Sequence, residues 1–168
     1  IELTGLEPEH LACVLAVLEE AGCRITQEKD QITLHSSGQL HGVRPVRTAP
    51  YPGFPTDAQA VLMAALAGGE GSTMFVENIF DSRYHHVDEL RRMGARIQTD
   101  GRVAVVTGAG RLHGADVHGT DLRGAAALVV AALGAKGVSR VSGLAHLERG
   151  YDSFGDTLSS LGARIQTL

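Results

Sequence analysis

Two segments of the chain are apolar at almost every position and long enough to form helices. They cover residues 58–67 and 124–133, and a Thr-Asp pair precedes each of them, Thr56-Asp57 and Thr120-Asp121. Threonine is a good N-cap, and an aspartate in the first turn complements the positive end of a helix. A helix that is apolar all round has to be covered on every side. We therefore expect both helices to be buried in the centre of the fold.

Amphipathic segments with apolar residues at helical spacing precede three similar glycine-containing motifs. The hexapeptide GARIQT occurs at 94–99 and again 68 residues later at 162–167, and a weaker copy, GCRIT, occurs at 22–26. A glycine just after the last periodic residue is typical of a helix end. The pattern predicts helices over 8–21, 87–93 and 153–161, the last two ending at Gly94 and Gly162. Strands are expected at 95–99 and 103–107, joined by a turn at Asp100-Gly101.

These elements form a repeat of about 64–72 residues, too long for the common solenoids. Further strands are expected at 72–76 and 138–141, so one unit reads β-α-β-α-β-β. The chain opens inside a unit, with strands near Arg24 and at 31–35, and contains one complete unit. It ends just after the first strand that follows the last helix. We expect an α+β fold of α/β repeats with about two and a half units, forming one domain over 1–168 as a fragment of a longer protein.

Composition excludes several classes of protein. Of the 168 residues, 43% are hydrophobic and 20% are charged, which excludes disorder as the dominant state. The net charge of −4 and the 4% aromatic content argue against nucleic acids and anionic membranes as partners. No apolar run reaches the roughly 18 residues of a membrane span. The two cysteines are too few for a disulfide scaffold, and a reducing compartment fits them better.

Candidate chemistry lies beside helix starts. A proline-rich stretch over 46–57 delivers Asp57 to a helix N-terminus, where it acts either as a capping residue or as a general base. The arginines Arg83, Arg123 and Arg149 also lie beside turns and helix starts. Both surface ion pairing and an anion site fit them. The histidines lack the spacing of a familiar ligand set, so no metal is expected, and we expect no cofactor.

The residues that carry this chemistry resemble a known family. The segments 46–60, 75–94, 115–126 and 146–162, with the motifs PTD, TDLR and RGY, closely resemble the enolpyruvyl transferases that act on UDP-N-acetylglucosamine. The resemblance implies an inside-out α/β barrel of β-α-β-α-β-β units. It also implies a two-domain cytoplasmic enzyme of the first committed step of peptidoglycan synthesis, and hence of cell-wall biogenesis, cell shape and division. Such an enzyme transfers enolpyruvyl from phosphoenolpyruvate to the sugar 3-hydroxyl and releases phosphate.

The resemblance assigns a role to each matching residue. Asp57 corresponds to the base for the 3-hydroxyl, and Asp121 to the carboxylate near the enolpyruvyl carbon. Arg149 is expected to be catalytic and, with Arg123, to meet the phosphoenolpyruvate anion and the leaving phosphate. The expected substrate-binding residues share a place beside the nucleotide sugar or the transferred group, and are Thr56, Asp57, Ile79, Phe80, Arg83, Arg123 and Arg149.

Several family features do not match this sequence. The family has a loop cysteine or aspartate and a Lys-Asn pair, and neither Cys13 nor Cys23 lies in a comparable loop. We therefore expect one domain of the enzyme, inactive alone, whose second domain and N-terminal segment are absent. The expected partners are UDP-N-acetylglucosamine, phosphoenolpyruvate and that second domain. The alternatives are a non-catalytic binding module and another member of the fold, such as the shikimate-pathway enzyme or an RNA 3′-phosphate cyclase, against which PTD and TDLR argue.

Overall fold

Strands and helices follow one another along the chain in the order that the repeats predict. The computed structural model describes residues 1–166. The helices are α1 (Ala12–Glu20), α2 (Thr56–Ala67), α3 (Val87–Arg92), α4 (Leu122–Gly134) and α5 (Phe154–Ser160), with 3-10 helices at Pro8–Leu11 and Leu144–Arg149. The strands are β1 (Glu2–Thr4), β2 (Arg24–Gln27), β3 (Gln31–His35), β4 (Val46–Arg47), β5 (Ser72–Val76), β6 (Arg96–Asp100), β7 (Val103–Thr107), β8 (Asp116–His118) and β9 (Arg140–Ser142).

The middle of the chain forms one complete β-α-β-α-β-β unit. Its strands make a sheet in the order β4-β5-β7-β6, in which β4 and β5 are parallel and the other neighbours antiparallel. The first part of the chain repeats the last four elements of this unit, with sheet order β1-β3-β2. The last part repeats the first four, because β8 and β9 are parallel and α4 lies between them in sequence. The predicted repeat is therefore confirmed.

The core lies between the apolar helices α2 and α4, which pack along each other, and the sheet of the complete unit. Phe75 of β5, Met63 of α2 and Leu128 of α4 are completely removed from solvent. The expected burial on every side holds for most of α2. It is wrong for the C-terminal part of α4, where Val129 is only partly buried and 44% of Leu133 is exposed.

Helix ends follow the prediction at their C-termini and differ from it at their N-termini. Gly94 and Gly162 follow α3 and α5 in the left-handed region, with φ of 90° and 96°. Thr56 is the first residue of α2 rather than its cap, because its hydroxyl is hydrogen-bonded elsewhere. The cap of α4 is Asp121 rather than Thr120, since a carboxylate oxygen there accepts two backbone N–H groups.

The remaining differences concern element boundaries. Residues 8–11 are 3-10 rather than α-helical, and the hairpin turn is Gly101-Arg102 because Asp100 pairs with Val103. The strand expected at 138–141 begins at Arg140, and Val138 is 81% exposed. The strand expected after the last helix does not form over residues 163–166, and residues 167–168 lie outside the described residues. Over residues 1–166, no helix has the length and apolar character required to cross a membrane.

Candidate active site

Asp57 lies between two arginines where α2 and α4 begin. Its Oδ1 accepts a hydrogen bond from Arg83 Nη2 at 3.0 Å, and its Oδ2 accepts one from Arg123 Nη2 at 2.6 Å. About half of the Asp57 side chain is exposed, whereas about three quarters of each arginine side chain is buried. Charge-assisted bonds to two guanidinium groups are the strong kind of hydrogen bond. The arrangement holds one reachable carboxylate in a fixed orientation.

Three different elements bring these side chains together. Asp57 lies in the first turn of α2, directly after the proline-rich loop. Arg83 lies in the loop between β5 and α3, and Arg123 lies in the first turn of α4. Because α2 and α4 pack along each other with their first turns adjacent, residues 66 positions apart in sequence meet at one end of the helix pair.

The arginines change the protonation of the carboxylate between them. The hydrogen bond from Arg123, followed by the positive charges of Arg123 and Arg83, holds the pKa of Asp57 below its usual range despite partial burial. The same contact raises the pKa of Arg123. Asp57 is therefore ionised at neutral pH and able to accept a hydroxyl hydrogen. Loss of the contacts with the arginines would raise the pKa of Asp57 and make it a stronger base.

Asp121 is tied to the same cluster through the backbone of Arg123. Its Oδ1 accepts hydrogen bonds from the backbone N–H of Arg123 at 3.0 Å and of Gly124 at 2.9 Å. The carboxylate thus caps α4, where the positive helix end favours negative charge. This capping role is compatible with a position beside a bound substrate, and the catalytic role of Asp121 stays a prediction.

Two aromatic side chains support the arginines. The Arg83 guanidinium lies 5.1 Å from the ring centroid of Phe80, which is itself 49% exposed. The Arg123 guanidinium lies 5.6 Å from the ring centroid of Tyr151 and donates a hydrogen bond to its hydroxyl at 3.2 Å. Such cation–π contacts orient the planar groups. Tyr151 belongs to the RGY motif, but sequence reasoning did not select it as a site residue.

The other predicted residues lie at different distances from this cluster. Thr56 precedes Asp57, and the backbone N–H of Ile79 is held in the loop that leads to Arg83. Arg149 is exposed at the end of a 3-10 helix, two residues before Tyr151, and its side chain contacts no partner by hydrogen bond or ion pair within residues 1–166. The structure therefore does not join Arg149 to Asp57, and its catalytic role stays a prediction.

A third carboxylate, missed from the sequence, lies beneath the site. Glu77 follows β5 and is 1% exposed. Burial is the strongest single influence on it and favours the neutral form. Together, the hydrogen bonds from Ile79, Phe80, Thr56 and Thr48 outweigh burial and hold the pKa of Glu77 below its usual range. A charged residue directly after the strand predicted over 72–76 was the available signal.

His86, on the same loop, is buried and uncharged. It is 2% exposed, its Nε2 has no partner among the described residues, and burial lowers its pKa to about 4. The exposed His85 precedes it. Neither histidine joins a cluster able to hold a metal, since the described residues contain no group of three His, Cys, Asp or Glu side chains in suitable positions.

The buried histidine predicts a pH dependence of stability. An unfolded histidine takes up a proton near pH 6.5, whereas folded His86 resists it down to about pH 4. The free energy of unfolding is therefore expected to fall as pH drops through this window, with a slope of up to about 1.4 kcal/mol per pH unit. Urea unfolding at several pH values should show a shallower slope for His86→Leu than for the control His85→Leu. Equal slopes would contradict the assignment.

Comparison with known proteins places the chain in a family. The family model described as EPSP synthase (3-phosphoshikimate 1-carboxyvinyltransferase) matches residues 1–158. The chain is a member of this enolpyruvyl transferase family. This match confirms the resemblance to enolpyruvyl transferases that was inferred from PTD, TDLR and RGY.

Three curated relatives of this enolpyruvyl transferase chain carry the same name. Proteins called UDP-N-acetylglucosamine 1-carboxyvinyltransferase are 47% identical in Desulfofundulus thermocisternus, 46% in Afipia carboxidovorans and 48% in Prochlorococcus marinus. The alignments cover 98%, 100% and 98% of this chain. The chain spans 68% of the first protein's length, but only 39% and 38% of the other two.

Solved structures share the fold of this enolpyruvyl transferase chain. The enolpyruvyl transferase NikO from Streptomyces tendae superposes with a TM-score of 0.87 at 31% identity, over 98% of this chain and 39% of that one. An EPSP synthase from Acinetobacter baumannii superposes with a TM-score of 0.72 at 20% identity, over 99% and 39%. The predicted enolpyruvyl transferase fold, with mixed α and β structure, is confirmed.

Proposed function

We propose that the chain is one domain of an enzyme that transfers enolpyruvyl from phosphoenolpyruvate to the 3-hydroxyl of UDP-N-acetylglucosamine and releases phosphate. The observation that carries the proposal is the carboxylate of Asp57, fixed between Arg83 and Arg123 at the start of two buried helices. This reaction needs a base beside cations, and relatives 46–48% identical bear the name of that activity.

The proposed chemistry begins with the sugar hydroxyl. Asp57 accepts the proton of the 3-hydroxyl while the hydroxyl oxygen of the sugar attacks C2 of phosphoenolpyruvate. At the same time a proton adds to C3. The resulting tetrahedral adduct loses a proton from C3, and the bond from C2 to the phosphate oxygen breaks. Phosphate leaves and the C2–C3 double bond forms again. We assign to Asp121 a part in the proton transfers at C3, and to Arg149 contact with the phosphate.

The arginines have two partners in this scheme. In the chain as described, Arg83 and Arg123 both bind Asp57 and weaken it as a base. A phosphate or diphosphate group carries more charge than a carboxylate and accepts the same forked hydrogen bonds. An arriving anion therefore draws the guanidinium groups toward itself and releases Asp57. Substrate binding and activation of the base are then the same event.

About half of the Asp57 side chain is exposed, and the chain spans only 39% and 38% of the length of two of its relatives. Both observations fit a catalytic centre that a second domain completes. We propose that a second domain of the same enzyme closes over this site, because enclosing a reaction strengthens its electrostatic interactions. The activity belongs to the cytoplasm and to peptidoglycan synthesis. We propose no nucleic acid or membrane as partner, and no cofactor.

Two other functions compete with this one. The family model is described by 3-phosphoshikimate 1-carboxyvinyltransferase, which favours shikimate 3-phosphate as an alternative acceptor. The EPSP synthase structure is only 20% identical in sequence, so it supports the fold of this chain and not its acceptor. A non-catalytic binding module would retain the anion site and lack turnover.

Phosphate release tests the proposal. The 168-residue chain with phosphoenolpyruvate and UDP-N-acetylglucosamine is expected to release no phosphate above the buffer rate, because closure supplies part of the catalytic groups. Adding the part of the Afipia carboxidovorans protein that the chain does not cover is expected to restore turnover. The control omits the nucleotide sugar, and a parallel assay uses shikimate 3-phosphate.

Each result of this assay has a separate meaning. Turnover by the chain alone would contradict the shared site, and turnover only with shikimate 3-phosphate would replace the acceptor. If neither the chain nor the mixture releases phosphate, while UDP-N-acetylglucosamine still binds, the non-catalytic module is correct.

A further inference from the structure

Glu77 accepts hydrogen bonds from three separate parts of the chain. Its Oε1 accepts from the hydroxyl of Thr48 at 2.9 Å and from the backbone N–H groups of Ile79 at 2.8 Å and Phe80 at 3.1 Å. Its Oε2 accepts from the hydroxyl of Thr56 at 2.8 Å. A single carboxylate therefore connects the end of the first parallel strand pair, the start of α2 and the loop that follows β5.

This carboxylate is unusual because it is buried without a cation. Glu77 is 1% exposed, and within residues 1–166 all four of its hydrogen-bond donors are neutral. Burying an ionised carboxylate is costly unless every oxygen is well hydrogen-bonded. A residue that served only to fill space would more favourably be apolar. Because burying this carboxylate costs free energy, we infer that Glu77 is retained for the hydrogen bonds that hold the loop in position.

Thr48 extends the connection to the base of the loop. Its hydroxyl accepts from the backbone N–H of Asn78 at 2.8 Å, and its carbonyl accepts from Asn78 Nδ2 at 3.1 Å. Its own N–H donates to the carbonyl of Val76 at 3.0 Å. The first residues of the loop are thus held on both sides of Glu77.

The two ends of this network lie next to the catalytic candidates. Thr56 is adjacent to Asp57 in the first turn of α2. Phe80 lies at the other end, and its ring is covered by the Arg83 guanidinium. We propose that Glu77 is a positioning residue that sets the contact between Asp57 and Arg83. Its importance for enolpyruvyl transfer rests on the function proposed above, whereas the positioning itself does not.

Titration of the Asp57 side chain tests the proposal without any substrate. The carboxyl carbon of Asp57 is followed by NMR against pH in the 168-residue chain and in Glu77→Gln. The amide cannot accept the hydroxyl hydrogen bonds as a carboxylate does, so the loop should loosen and Arg83 should withdraw. The pKa of Asp57 is then expected to rise toward its ordinary value of 3.8.

The direction of the change separates positioning from simple electrostatics. Removing the negative charge of Glu77 without moving Arg83 would lower the pKa of Asp57, because a like charge nearby favours the protonated form. Asp81→Asn is the matched control, since it removes an exposed carboxylate from the same loop that pairs with Arg102 and touches neither threonine. In this control the pKa of Asp57 is expected to stay unchanged or fall.

A higher pKa of Asp57 in the Glu77→Gln variant supports the proposal, and an unchanged or lower pKa of Asp57 overturns it. If the amide spectrum shows that Glu77→Gln does not fold, the pKa of Asp57 is measured in Thr48→Val instead. This variant removes the hydroxyl that donates to Glu77 and changes no charge, and the same direction of change decides the outcome. In the complemented enzyme, Glu77→Gln is expected to lower kcat/KM about tenfold. If the complemented enzyme releases no phosphate but the pKa of Asp57 rises in Glu77→Gln, the proposed function is wrong and the positioning role of Glu77 still stands.

Discussion

Replacing Asp57 by Asn is expected to lower kcat of the complemented enzyme by about 10²–10⁴-fold, the usual contribution of a general base. The amide keeps the size of the side chain and loses the ability to accept the hydroxyl proton. It also loses the charge that holds Arg83 and Arg123 at 3.0 and 2.6 Å. The measurement is the initial rate of phosphate release at saturating phosphoenolpyruvate and UDP-N-acetylglucosamine.

A matched control distinguishes this loss from a general effect of removing a carboxylate. Asp88→Asn removes an exposed aspartate from α3, whose side chain pairs, within the part of the chain that the structure describes, only with Arg91 one turn away. Surface pairs of this kind contribute about 0–1 kcal/mol, so the control should keep its rate. If Asp57→Asn retained more than about a tenth of the wild-type kcat, the assignment of Asp57 as the base would be wrong.

Phe75→Ala is expected to lower the free energy of unfolding of the chain by about 3–5 kcal/mol. Phe75 has no exposed surface, and it lies on β5, the strand between β4 and β7. Truncating it removes apolar contacts and leaves a cavity that the close-packed neighbours fill only in part. Natural domains are stable by only about 5–15 kcal/mol, so the loss is a large share of the total. Urea denaturation measures it.

The neighbouring Met74 supplies the control for this measurement. It lies on the same strand with its side chain on the other face and is 40% exposed. Met74→Ala is expected to lower the free energy of unfolding by under about 1 kcal/mol. Comparable losses for Met74→Ala and Phe75→Ala would show that strand propensity, rather than burial, dominates at this position.

The repeating fold could be predicted from the periodicity of the sequence because each unit repeats the same apolar segments and helix-ending glycines. The apolar segments became α2 and α4, and the glycines after the amphipathic segments, Gly94 and Gly162, ended their helices with positive φ. Only glycine adopts that conformation without a steric cost. Helix starts were predicted less well. A threonine and an aspartate both suit a cap. Asp121 caps α4 through nearby backbone N–H groups, whereas the hydroxyl of Thr56 is taken up by the distant Glu77.

Part of the candidate site was accessible from the sequence. Asp57, Arg83 and Arg123 were selected from helix starts, turns and the family resemblance, and the structure brings their side chains into direct contact. Arg149 was selected in the same way, but it does not join the contact. Motif membership specifies which residues are candidates, whereas the distance between side chains depends on how the loops fold.

Glu77 and Tyr151 show what the sequence left open. Neither stood out by residue type, because buried carboxylates and tyrosine hydroxyls acquire a role only through their hydrogen-bond partners. The four donors of Glu77 come from positions 2 to 29 residues away in sequence, and the arginine bonded to Tyr151 lies 28 residues away.

By itself, the sequence determined the family, the β-α-β-α-β-β unit and the residue types available for chemistry, because hydrophobic period, glycine conformation and short motifs are local properties. Only the tertiary structure decided that Asp57 lies between two arginines and that Glu77 is buried beneath them. The physical reason is that pKa values and hydrogen bonds depend on distances across the packed helices. Those distances exist only once α2, α4 and the loop after β5 have come together.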